Sequence, residues 1–139
     1  VFAHKKKDEN CMLLRGFDDV FYVPHSRHTT IKREDIEKVD ELDILACSKD
    51  AGVHIAATKD YRRIFVMGHS EYDPNTLKDE YDRDVKLGKK INIPINYYPE
   101  DDTNRKPFVK WRAHGNMFFK NWINLVYQET PYNINEIKA

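Results

Sequence analysis

The sequence predicts a single α/β domain, and three observations carry that prediction. Strand-length runs rich in β-branched and aromatic residues, among them "LDILACS", "GVHIAATK" and "RRIFVMG", alternate with stretches of helical periodicity. Glycine, proline and aspartate mark the boundaries between them. A chain of 139 residues, 40% hydrophobic and 12% aromatic, supplies enough apolar material for one core. The strands are too few for a complete doubly wound sheet.

In chain order, hydrophobic patterning predicts a strand near Cys11 to Leu14 and another over Val20 to Val23, which Pro24 ends. "HSRHTT" is a polar loop. "REDIEKV" puts Ile36 and Val39 on one helical face behind Thr30 as the candidate cap, so a short helix is expected. Two strands then flank Lys49-Asp50-Ala51-Gly52, a turn of hairpin length with glycine where positive φ is needed. "RRIFVMG" is the next strand. Asp73-Pro74 signals a helix start, because proline is tolerated in the first turn and aspartate accepts an orphan amide. That helix is expected to run to about Gly88. "INIPINYYPEDDTNRKP", with three prolines, is expected to be an extended surface loop. "FVKWRAHGNMFFKNWINLVYQ" reads as a long helix with Trp111, Met117, Phe118, Trp122 and Leu125 as its apolar stripe.

Charge narrows the function classes. Lys+Arg and Asp+Glu both number 23, the formal charge is zero, and the one run of three basic residues is Lys5-Lys6-Lys7. Nucleic acid and anionic membrane need a concentrated basic face, so neither is expected as a partner. No apolar stretch approaches the ~18 residues of a membrane span, and the start shows no signal-peptide pattern. With two cysteines, Cys11 and Cys47, a reducing cytoplasm is the expected setting. The chain begins at Val1 as if already inside a fold, so a fragment of a longer protein is expected.

The chemistry most visible in the residues lies in "RIFVMGHSEYDPNT". His69 and Glu71 follow a strand and a glycine, two positions apart. In an extended segment such residues share a side, so Glu71 can reach one ring nitrogen and leave the other free. That is a general base and its orienting carboxylate, two members of a triad that still needs a nucleophile. Cys11 and Cys47 lie in apolar strand patterns, where cysteine packs and is inert. "PHSRH" offers His25, Ser26, Arg27 and His28 as either a binding loop or a polar loop tied together by its own side chains. His-x-x-His hints at zinc, but no third and fourth ligands stand at familiar spacing, so no metal is expected. Arg83 in "EYDRD" can grip a carboxylate with two parallel hydrogen bonds, although Asp79, Asp82 and Asp84 make a solvated charge run the default. His4, His54 and His114 read as structural histidines.

Several longer motifs occur in one order: "LLRGFDD", "PHSRH", "GHSEYD" with "EYDRD" behind it, "NYYPEDD" and "WRAHGNMFFKNWINLVYQETPY". From Val1 to about Tyr132 the chain resembles the C-terminal half of the homoserine O-acyltransferase family usually named homoserine O-succinyltransferase. The resemblance implies the C-terminal portion of a flavodoxin-like sandwich akin to class I glutamine amidotransferases. It implies a Cys-His-Glu triad that moves a succinyl or acetyl group from acyl-CoA to the hydroxyl of L-homoserine, in methionine biosynthesis. On this reading His69 and Glu71 are catalytic, and Ser26 and Arg83 bind substrate. The nucleophilic cysteine and a substrate-binding lysine belong to the half before Val1, so the chain alone is expected to be inactive. Acyl-CoA is a co-substrate, no cofactor is implied, and a homodimer is usual for the complete enzyme. One departure is Ser70, where the family typically has proline. The alternatives are a related cysteine hydrolase or amidotransferase using the same pair, or a non-catalytic binding domain.

Overall fold

The computed structural model describes residues 1–136. Five strands form one sheet in the order β2-β1-β3-β4-β5: β1 Phe2–Lys6, β2 Val20–Val23, β3 Leu42–Ser48, β4 Gly52–Thr58 and β5 Ile64–Val66. Every neighbouring pair is antiparallel, with Phe2 opposite Val23, Lys5 opposite Cys47 and Ile55 opposite Val66. Three helices complete the α/β fold: α1 Arg33–Ile36, α2 Thr76–Lys86 and α3 Arg112–Glu129. No described helix is long and apolar enough to cross a membrane.

The β3–β4 hairpin forms where expected, and Gly52 takes its predicted positive φ of 73°. β4 is the most deeply buried strand, with Val53 through Ala57 all enclosed, because its two faces meet different apolar clusters. α2 begins at Thr76 rather than at Pro74 and closes at Gly88, whose φ of 71° ends the helix. α1 is a single turn. Its N-cap is Lys32, not Thr30, and Val39 lies beyond it, exposed.

Three expectations are corrected. The segment at Cys11 to Leu14 is not a strand but a 3-10 turn over Met12–Leu14, closed by the Leu14 amide on the Cys11 carbonyl at 3.1 Å. Leu13 and Leu14 are both buried, which consecutive strand residues facing opposite sides of a half-exposed sheet do not allow. The strand near this position is β1, whose lysines disguise it. Second, the polar loop after α2 is not all surface. Tyr97, Tyr98 and Pro99 are buried, and the two tyrosines join Val1, Leu77 and Trp111 in a second apolar cluster. The Tyr97 hydroxyl donates to the Pro74 carbonyl, and the Lys78 amide donates back to it at 3.3 Å, so this loop pins the start of α2. Third, the stripe on α3 is narrower than predicted: Phe118 and Leu125 are buried, Met117 is partly so, and Trp122 is 42% exposed. Trp111 sits at the N-cap, ahead of the helix. Cys11 is buried as expected, whereas Cys47 is half-buried, and both are free thiols.

α3 is fastened to the 3-10 turn by Asn121, whose side-chain amide donates to the carbonyls of Leu13 at 3.1 Å and Arg15 at 2.9 Å. Leu13, at 0% exposure, lies in the cluster with Phe118 and Leu125. Leu13→Ala should therefore destabilise the chain by about 2–5 kcal/mol. Urea unfolding followed by circular dichroism checks this, and a loss well under 1 kcal/mol would contradict the packing described.

Candidate functional site

The corner after β5 is built from backbone contacts first. The Met67 amide donates to the His54 carbonyl at 2.8 Å, and the His69 amide donates to the Pro24 carbonyl at 2.8 Å. The corner is thus hung between the ends of β4 and β2. Gly68 lies between those two anchors. A Cβ there would come within 2.6 Å of Val23, 2.7 Å of His25 Nε2 and 2.9 Å of His54 Nδ1, so no larger residue fits. On the other side, α3 approaches through Gly115, where a Cβ would stand 2.6 Å from the Ser70 carbonyl oxygen. The Trp111 indole donates to the Tyr72 carbonyl at 2.9 Å and closes the frame.

Within this frame His69 Nδ1 donates to Glu71 Oε1 at 2.8 Å. The pair forms as predicted, but by a different local geometry. Residues 70 and 71 make a turn, with the Tyr72 amide on the His69 carbonyl at 3.3 Å, rather than an extended segment. The His69 side chain is 34% exposed and its Nε2 has no hydrogen-bond partner among the described residues. Tyr72, which the sequence reading passed over, lies flat against the imidazole with ring centroids 4.3 Å apart and planes 14° from parallel. Neither cysteine is hydrogen-bonded to this pair.

Ser26 and Arg83 open onto one cavity of about 300 Å³, formed between the loop after β2 and α2. His69 is not on its wall. Tyr72 links the two places: its ring covers His69, and its hydroxyl donates to Glu80 Oε1 at 2.8 Å, with Glu80 on the cavity wall. Burial and the Glu80 contact push the Tyr72 phenol up to about 12, so it stays a donor. Glu80 Oε2 is buried without a partner. The Arg83 side chain is 61% exposed and its Nε donates to Asp84 at 2.9 Å, so the expected charge-run pairing forms, yet the side chain also lines the cavity. A larger cavity, about 690 Å³ between α3 and the β4–β5 end of the sheet, is lined by Ile64, Phe118 and Trp122 and holds none of the predicted site residues.

His25 turns inward rather than pairing with His28. It meets His4 and His54, and one nitrogen from each of the three rings lies within 4.8 Å of the others. Burial pushes His4 down to about 4 and His25 to about 3, and holds His54 well below the ordinary imidazole value. Arg27 donates to His25 Nδ1, and also to the carbonyls of Met67, at 3.3 Å, and Ala51. Sequence reading treated these histidines singly. Positions 4, 25 and 54 carry no local signal that they meet; only the strand order β2-β1-β3-β4 brings them together.

A family model described as homoserine O-succinyltransferase matches residues 1–132. The chain is 59% identical over 137 residues to a homoserine O-acetyltransferase of Shouchella clausii, covering 98% of this chain and 44% of that protein. It is 58% identical over 139 residues to a homoserine O-acetyltransferase of Acetivibrio thermocellus, covering 99% of this chain and 46% of that one. The chain therefore spans a little under half the length of these relatives. Among solved structures, the crystal structure of SMU.1228c superposes with a TM-score of 0.61 at 11% identity, covering 90% of this chain and 50% of that one, which is a likeness of fold.

Two outcomes test the frame. Gly115→Ala on a helix surface ordinarily stabilises by up to about 1 kcal/mol, yet here it should destabilise by about 1–3 kcal/mol because of the Ser70 carbonyl; the sign of the change in denaturation midpoint decides. The second is acid sensitivity. Imidazoles that titrate at 6.5 when unfolded and at about 3 to 4 when folded take up protons preferentially in the unfolded chain. Their contribution is complete above pH 6.5 and is lost as pH falls from 6.5 towards 3. Unfolding free energy measured at pH 7, 5.5 and 4.5 should drop at each step, more shallowly in His4→Gln.

Proposed function

The chain belongs to the homoserine O-succinyltransferase family, and from that premise we propose that it is the base-bearing part of a homoserine O-acyltransferase. The observation that carries the reading is the 2.8 Å contact between His69 Nδ1 and Glu71, which leaves Nε2 without a partner among the described residues on a partly exposed side chain. Glu71 holds the imidazole in the tautomer with its lone pair on Nε2 and stabilises the imidazolium when it forms. Nε2 then takes the proton from a cysteine thiol supplied by the part of the relatives that this chain does not span.

The reaction is ping-pong. The thiolate attacks the acyl-CoA thioester, coenzyme A leaves with the proton from His69, and the acyl group rests on sulfur. His69 next takes the proton of homoserine's hydroxyl as its oxygen attacks that thioester, and returns it to the departing sulfur. Acetyl-CoA is the favoured donor, because the relatives at 58–59% identity carry the acetyltransferase name. The sheet is read as the C-terminal portion of a flavodoxin-like, glutamine amidotransferase-like sandwich.

The cavity beside Tyr72 suits an amino-acid acceptor better than the glutamine or peptide of a related hydrolase. It places a cation, Arg83, and a carboxylate, Glu80, on one wall with the Ser26 hydroxyl. Those charges match the carboxylate and ammonium of a small zwitterion.

In the complete enzyme, with this chain joined to the upstream portion, His69→Ala should lower kcat by about 10²–10⁴. Glu80→Gln should raise KM for homoserine about tenfold or more, the worth of one charge-assisted hydrogen bond, with acyl-enzyme formation from acetyl-CoA unchanged. The 139-residue chain alone should transfer no acyl group. Transfer by it that Cys11→Ala or Cys47→Ala abolished would overturn the assignment of the nucleophile.

A further inference from the structure

We propose that Arg27 and His25 are positioning residues: a one-way hydrogen-bond chain from Arg27 through His25 and His4 to the Phe2 carbonyl locks the loop carrying Ser26 to the corner carrying His69. The roles of Ser26 and His69 rest on the function proposed above; the chain itself does not.

Its direction follows from the last acceptor. His4 Nδ1 lies 2.9 Å from the Phe2 carbonyl oxygen, which can only accept, so Nδ1 carries the hydrogen and Nε2 presents a lone pair. His25 Nε2 is 3.0 Å from that lone pair, so it must be the donor. His25 Nδ1 is left as the acceptor, and the Arg27 guanidinium, which can only donate, faces it. The two imidazole planes lie 13° apart with centroids 5.0 Å from one another. With the planes nearly parallel, the two Nε2 atoms lie 3.0 Å apart, within hydrogen-bond distance. Each ring is thereby held in one neutral tautomer.

A metal held by His4, His25 and His54 would need different geometry. Ligation at about 2.0–2.1 Å per nitrogen needs lone pairs on all three rings and about 3.3 Å or more between the nitrogens. It would also move the His25 hydrogen to Nδ1, donor against donor with Arg27.

The same guanidinium reaches the Ala51 carbonyl in the hairpin turn, the Met67 carbonyl directly before Gly68 at 3.3 Å, and Thr30 Oγ1 at 3.4 Å. Both terminal nitrogens of the guanidinium are therefore engaged with protein groups, while Nε has no partner among the described residues. His25 and Arg27 flank Ser26 and are held by these inward contacts, while Ser26, exposed between them, lies on the cavity wall with Arg83. Lysine at position 27 keeps the charge but loses the planar fork that serves the loop, the hairpin and the corner together.

The test begins with the chain as it stands, labelled with ¹⁵N-histidine. Long-range ¹H–¹⁵N spectra at pH 7 should show His4 as the Nδ1–H form and His25 as the Nε2–H form, both neutral. The opposite tautomer at His25, or displacement of all three histidine signals by stoichiometric Zn²⁺, overturns the proposal. This measurement needs no activity, so it stands if the acyltransferase reading fails. In the complete enzyme, Arg27→Lys should erase the His25 signature, raise KM for homoserine and lower kcat, for at least a tenfold fall in kcat/KM with the unfolding transition retained. A rise in KM alone, with kcat and the tautomers intact, would make Arg27 a substrate-binding residue instead. If Arg27→Lys does not fold, the tautomers of the unaltered chain decide.

Discussion

The site depends on a space too narrow for one methyl group. At Gly68 the backbone runs against Val23, His25 and His54, and at Gly115 a helix runs against the Ser70 carbonyl. Between these two approaches the corner has no freedom to relax, and the hydrogen bonds from His69 to Pro24 and from Trp111 to Tyr72 need only fix its ends. A catalytic geometry on a turn is ordinarily loose. Here the turn borrows the rigidity of a β-sheet on one side and of α3 on the other, which is why a surface imidazole can keep its orientation.

Electrostatics divide the region in two. Beneath the corner three imidazoles are held neutral by burial, with one committed guanidinium at the edge. Beside it the cavity wall carries Arg83, paired through Nε with Asp84, and Glu80, one of whose oxygens has no hydrogen-bond partner. The uncharged layer serves shape, and the charged one is free to serve recognition. Tyr72 belongs to both, since its ring rests on His69 and its hydroxyl reaches Glu80.

How much was legible in the sequence varies with the range of the interaction. The hairpin around Gly52, the helix after Asp73-Pro74 and the His69–Glu71 pair are local, and each was read from neighbouring residues. The 3-10 turn at Met12–Leu14 was missed because two adjacent leucines resemble a strand until the partner that buries them, α3, is known. β1 was hidden because His4 is its one fully buried side chain amid lysines. Tyr97 and Tyr98 were assigned to solvent with the polar loop around them; two adjacent aromatics in such a loop were the available signal. The histidine cluster had none, because strand pairing across 21 and 29 residues created it. The motifs placed Ser26 and Arg83, which do share a cavity, but not Tyr72, which joins that cavity to His69.

The parallel contact between Tyr72 and His69 has a consequence for the imidazole as a rotor. An imidazole on a surface can turn over about its Cβ–Cγ bond and exchange Nδ1 for a carbon, which would present the wrong atom to Glu71. With one face of the ring covered by a phenol that is itself tethered at its far end to Glu80, and one edge held by the carboxylate, the ring cannot swing without displacing the aromatic plate above it. The torsional entropy of the base is thus spent during folding rather than during turnover, and each encounter meets a side chain that already points one way.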